Sequence, residues 1–147
     1  MADIVTQRNI GALVDVVTSV LPQAAAAGTI NGASIDRVAH GLAGSAVIHQ
    51  VTGAETGTPT TVSVQTNVQH APDNSTWTNY IPPGASTVAE TAAVTAINTD
   101  ASVAVDLSAA QRYVRVQTVV AFTGGTSPTI EVAADIVLAG ERVLPAV

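Results

Sequence analysis

The chain has 147 residues, no cysteine, eleven acids against five basic residues, a formal net charge of -6 and a pI near 4.6. That composition excludes a disulfide framework, a thiolate metal site and a cysteine nucleophile, and it leaves no cluster of cations to neutralise nucleic-acid phosphates. Charged residues make up 11% of the chain, under half the roughly 25% of an average domain, so small neutral side chains must cover a surface poorly defended against association with its own copies or a partner.

Residues 1–28 read as an N-terminal arm. Ile10, Leu13, Val14, Val17 and Leu21 are spaced as on one helical face, but the β-branched content and Pro22 suit an extended segment equally well. Asp3 and Asp15 interrupt what would otherwise resemble a secretory leader. No run reaches the ~18 apolar residues of a membrane span, so no membrane partner is expected. Thr29-Ile30-Asn31-Gly32 is a turn signal, and Ala33–Val38 is a short strand carrying Ile35.

Ser45–Val51 is a second strand, with Val47, His49 and Val51 on one face and Ala46, Ile48 and Gln50 on the other. Gly53–Thr60 is a loop. The clearest strand follows: Val62, Val64, Thr66, Val68 and His70 alternate with Ser63, Gln65, Asn67 and Gln69, a half-buried pattern. Ala71-Pro72-Asp73-Asn74-Ser75 reverses the chain toward Trp77 and Tyr80, and Pro82-Pro83 ends that return strand.

Ser86–Thr99 has no clean period and fits a loose strand or a helical turn. Ala101, Val103, Val105 and Leu107 restore the alternation, and Ser108–Gln111 is a turn. Arg112–Phe122 is the most hydrophobic strand, with Val114, Val116, Thr118, Val120 and Phe122 on one face. Gly124–Pro128 is expected to close a hairpin onto Thr129–Leu138, whose apolar face is Ile130, Val132, Ala134, Ile136 and Leu138. The fold class is therefore all-β: an antiparallel β-sandwich or jelly roll over residues 29–139, preceded by the arm and followed by a tail, residues 140–147.

No motif carries catalysis. His40, His49 and His70 are dispersed without metal-ligand spacing, the acids form no recognisable pair, and neither a G-x-S-x-G elbow nor an S-x-x-K is present. No cofactor, metal or catalytic residue is expected. Asp73 and Asn74 fall short of the six or more oxygens of a Ca²⁺ site.

Gly57-Thr58-Pro59-Thr60 running into Val62–His70, then Asp73, Asn74 and Ser75-Thr76-Trp77-Thr78, resembles a stretch common in small virion proteins of tailed bacteriophages, encoded near the major capsid gene. Arg112-Tyr113-Val114-Arg115-Val116, Ala121–Thr129, Ile35-Asp36-Arg37 and Gly140–Pro145 are similar to other parts of the same proteins. The turn departs from their pattern, with Pro72-Asp73-Asn74 where an Asp-Gly pair is common, and the arm has no counterpart.

The resemblance implies a head decoration, or cement, protein, placed on the outer surface of the virion capsid after assembly in the bacterial cytoplasm. Its implied partners are the major capsid protein and its own copies, as a homotrimer first and a dimer second, with no nucleic acid. The expected contact residues are Ile4, Ile10, Leu13, Val17 and Leu21 in the arm, Trp77 and Tyr80 on the hairpin, and Leu144 in the tail. The rival reading is a carbohydrate-binding β-sandwich module of a phage tail or secreted protein, stacking sugars on Trp77 and Tyr80.

Overall fold

A computed structural model describes residues 13–140. Every regular element among them is a strand: β1 (Val14–Ala25), β2 (Gly28–Asn31), β3 (Ile35–Asp36), β4 (Ser45–Thr56), β5 (Thr61–Ala71), β6 (Thr78–Asn79), β7 (Thr99–Asp106), β8 (Tyr113–Thr123) and β9 (Thr129–Ala139). The first sheet has the order β1-β9-β4-β7 and the second β2-β8-β5-β6, with β3 also on β8; all pairings are antiparallel. The β-sandwich expected from the alternating strands is the observed fold.

Four local expectations change. The segment Gly124–Pro128 does not close a hairpin, because β8 lies in the second sheet and β9 in the first. The two strands face each other across the core instead. Sequence alternation fixes which side chains point inward, but it is the same for a neighbour in the sheet and a neighbour across the sandwich.

The expected arm ends earlier than Gly28, since Val14–Ala25 is an edge strand paired along β9. Its spacing looked helical because register shifts at Thr18/Val20 and Val20/Gln23 interrupt the two-residue period. Pro22, which favoured an extended segment over a helix, sits where an edge strand and a bulge tolerate a missing N–H donor. Of the expected turn Thr29-Ile30-Asn31-Gly32, the first three residues belong to β2, and the strand expected over Ser45–Val51 runs on to Thr56 through residues expected as a loop.

The unpatterned stretch after Pro83 is neither a regular strand nor a helix. It runs beside β5 on backbone bonds: Val68 N–H to Ala89 O, Thr91 N–H to Thr66 O, and a reciprocal pair between Val64 and Val94. It thereby completes β5's free edge without needing an alternating sequence of its own.

Between the sheets the core divides in two. One cluster contains Val68, Tyr80, Leu107, Val114, Val116, Ile136 and Leu138; the other contains Val62, Val64, Val120, Ile130 and Val132. Each fully buried Val, Ile or Leu contributes roughly 1.5–3 kcal/mol. A buried polar layer also spans the sheets. Thr66 Oγ1 donates to Gln50 Oε1 at 2.6 Å and lies 2.8 Å from Thr118 Oγ1, while Thr91 Oγ1 donates to the same Gln50 oxygen at 3.2 Å. Gln50 Nε2 donates to Val64 O at 3.0 Å, so both ends of the amide are satisfied. A network satisfied in this way fixes one alignment of β4 against β5 and β8.

Candidate interaction faces and the ends that brace them

Several of the segments that carried the sequence resemblance lie at the two ends of the sandwich. At one end, Gly57–Thr60 crosses from β4 to β5 and Gly124–Pro128 crosses back from β8 to β9. The two crossings stack: Thr126 N–H donates to Gly57 O at 2.9 Å and Thr60 N–H to Thr123 O at 2.7 Å. Gly57 and Gly125 have φ of +74° and +82°. A Cβ on Gly57 would lie 2.5 Å from Thr126 O, and one on Gly125 would lie 2.6 Å from Gly57 O, so each arch needs a bare backbone against the other.

The opposite end is held by Ile35-Asp36-Arg37. Ile35 is buried, Asp36 accepts from Arg112 Nε and Nη2 at 2.7–3.2 Å, and the buried Arg37 donates to the carbonyls of Ala43, Ala110 and Gln111. The Arg112 guanidinium holds Asp36 below the usual carboxylate range. Tyr80 lies in the core there, its hydroxyl donating to Asp106 O at 2.6 Å and its ring edge-on to His70 at 5.0 Å. Burial, with Arg37 nearby, lowers the pKa of His70, whose Nδ1 accepts from Gln111 N–H at 3.3 Å.

The second sheet turns a polar face outward. Asn67 and Gln69 both donate to Asn79 Oδ1 at 3.0 Å, Arg115 Nε donates to Gln69 Oε1 at 2.9 Å, and Gln117 donates to Asn31 at 2.9 Å. The Arg115 guanidinium covers the Trp77 ring at 4.3 Å. The preceding turn is set by Asp73, which accepts from the N–H groups of Ser75 and Thr76 and from the Thr76 hydroxyl. Those donors, the Thr76 amide foremost, hold Asp73 well below the usual carboxylate range.

The first sheet turns out a different face. Its register aligns Val16, Val137, Val47 and Ala104 in one row across β1, β9, β4 and β7. Val16 is 62% exposed and Val47 40%. Val51, 39% exposed, and Ala133 form a second pair four residues along, with Asp135, His49 and Ser102 in the row between. Two shallow concavities flank the rows, of about 420 Å³ beside Val47, Ala104 and Val137 and about 520 Å³ beside Pro22, Val51 and Ala133.

The expected contact residues divide. Ile4, Ile10 and Leu144 lie outside the described residues. Leu13 borders β1, Val17 packs partly on the core, and Leu21 is exposed. Tyr80 is a correction: as a core residue 1% exposed it cannot serve as an interface or sugar-stacking group. Trp77 stays half-buried at the surface with one ring face occupied by Arg115, so the structure does not bring the two aromatics together as a platform.

The valine rows were missed by the sequence reading. Their signal was present: Ser45–Val51 and Thr129–Leu138 carry apolar residues on both faces, more than a strand with one solvated face requires. The histidines stay apart, His40 on Asp15 and His49 on Asp100, and no cluster of three metal-ligating side chains forms among the described residues.

No family model and no curated protein matches this sequence. Among solved structures, the chain is similar in fold to the PBSX exported protein XepA, with a TM-score of 0.55 and 17% identity over 95% of this chain. It spans 41% of that protein's length. The SPBc2 prophage-derived protein YomS also aligns, over 87% of this chain and 96% of its own, with a TM-score of 0.48 and 13% identity. XepA bears out the sandwich architecture.

Proposed function

We propose that the protein is a structural component of a tailed-phage virion, a head decoration protein that binds the outside of the capsid and clamps neighbouring major capsid proteins. The observation that carries this reading is the placement of the resembling segments. Gly57–Thr60 and Gly124–Thr129 form one stiff end of the sandwich, and Ile35-Asp36-Arg37 with Arg112 the other. They brace a sandwich on which the described residues leave a broad sheet face uncovered, which is what a protein acting by surface contact requires. Modest contacts repeated over a capsid become strong by multivalency, and closed symmetry, a trimer first and a dimer second, would supply the repeat.

The test combines the solution mass by light scattering with co-sedimentation on phage heads stripped of this protein. A closed oligomer that rebinds stripped heads is the expected result. A protein that ignores heads at micromolar concentration removes the reading.

A further inference from the structure

We infer that the outer face of the first sheet is the docking face, and that its partner is a protein surface on which apolar side chains are interspersed with lysine or arginine, rather than a second copy of this chain. The occupant, though not the face itself, rests on charge.

Four carboxylates stand among the valine rows: Asp100 and Asp106 on β7 and Glu131 on β9 toward the edges, and Asp135 on β9 between the rows. The described arginines all lie elsewhere. Arg37 is buried at the end of the sandwich, and Arg112 and Arg115 belong to the second sheet's side. Among the described residues, His49, hydrogen-bonded to Asp100 at 3.3 Å, is the one side chain on this face able to gain a positive charge. Two copies placed face to face would oppose carboxylates to carboxylates with no arginine among the described residues to intervene, a juxtaposition that suppresses association. Basic side chains on the partner reverse the sign and leave the valines free to exclude water.

The size is adequate. Four strands spaced ~4.8 Å apart and eight to twelve residues long at ~3.4 Å each give on the order of 500–750 Å². A standard interface buries about 800 Å² per partner. Rigidity helps too, because arches and carbonyl clamps at both ends spare the face much of the ordering cost of binding.

The probe is a synthetic peptide alternating leucine with lysine, compared with its leucine–glutamate counterpart, binding to the full chain followed by fluorescence anisotropy. The Leu/Lys peptide is expected to bind, more weakly as salt rises through about 0.15 M, and the Leu/Glu peptide to fail. Asp100→Lys with Asp135→Lys, and separately Val47→Gln with Val137→Gln, should each weaken binding roughly tenfold or more. Gln117→Lys on the other sheet, a control for charge alone, should leave it unchanged. Equal binding of both peptides, no binding of either, or equal loss in the control would overturn the proposal. So would a fall in solution mass in the Val47→Gln, Val137→Gln variant, which would assign the face to a second copy. If removing residues 141–147 is needed before the peptide binds, the tail is the occupant and the proposal also fails.

Stripped heads separate this inference from the decoration reading. Heads that bind the wild type and the face variants alike overturn the docking face and leave decoration standing. Peptide binding of the expected pattern with heads ignored does the reverse.

Discussion

On the second sheet, Asn67, Gln69, Asn79, Arg115, Gln117 and Asn31 satisfy one another across strands, and Arg115 also covers Trp77. On the first sheet, Val16, Val47, Val51 and Val137 stand in rows bordered by acids. Both faces belong to the same sandwich and rest on the same core, yet one uses its side chains internally and the other leaves them for something else. Hydrogen-bonded amides gain little by exchanging partners at an interface. Exposed valines gain with every Å² removed from water. The contrast separates a surface that finishes the fold from one that the fold presents.

The largest test of this contrast compares inward with outward positions on the same strands. Val116→Asp or Ile136→Asp would bury a carboxylate in the first cluster and should cost more than about 4 kcal/mol, enough to abolish cooperative unfolding in urea. Val47→Asp, one residue from the buried Ile48, should cost less than about 1 kcal/mol. Equal losses would mean that the outer face is part of the core.

The arch end comes next, because it joins both sheets. Gly125→Ala should lower stability by about 2–3 kcal/mol, combining left-handed backbone strain with the clash on Gly57 O. Gly84→Ala has a similar φ of +77° but nothing near its Cβ, so it should lose only the strain, about 1–2 kcal/mol. Urea midpoints of the two variants measure the stacking contribution by difference.

Substitution on the polar face should be felt by the fold itself. Arg115→Ala removes the Trp77 stack and the bond to Gln69, and should cost about 1–2 kcal/mol. Val47→Ser on the apolar face should shift thermal stability by less than about 0.5 kcal/mol. A reversal of that order would contradict the division of labour between the faces.

The smallest expected effect is one of pH, at the Arg37 end. His70 has a folded pKa below its unfolded value of 6.5, so the unfolded chain takes up the proton first and stability rises with pH. This contribution is complete above about 6.5 and declines as pH falls toward the folded value. Asp36, Asp73 and Asp106 are also lowered, by Arg112, by the Thr76 amide and by the Ser108 amide respectively. Their contribution is present above about 3.9 and is lost at lower pH, a separate window. A melting-temperature slope between pH 7 and 5.5 that persists in His70→Asn would assign the effect elsewhere.

Much of this protein was determined by its sequence alone. Alternation marked the inward residues of β5, β7, β8 and β9, because a strand with one buried face repeats every two residues. Asp73 and Asn74 marked the turn, because an Asx side chain bonds the backbone just ahead and tolerates left-handed φ. The sequence did not determine which strands pair. β8 and β9 show the same pattern whether they share a sheet or oppose each other, and only their pairing, β8 with β2 and β5 and β9 with β1 and β4, separates the two. Nor did it reveal β1, whose bulges hide its period until β9 supplies the register. The valine rows belong to the tertiary structure for the same reason: Val16, Val47, Ala104 and Val137 come from four distant segments, and only antiparallel pairing brings them into line.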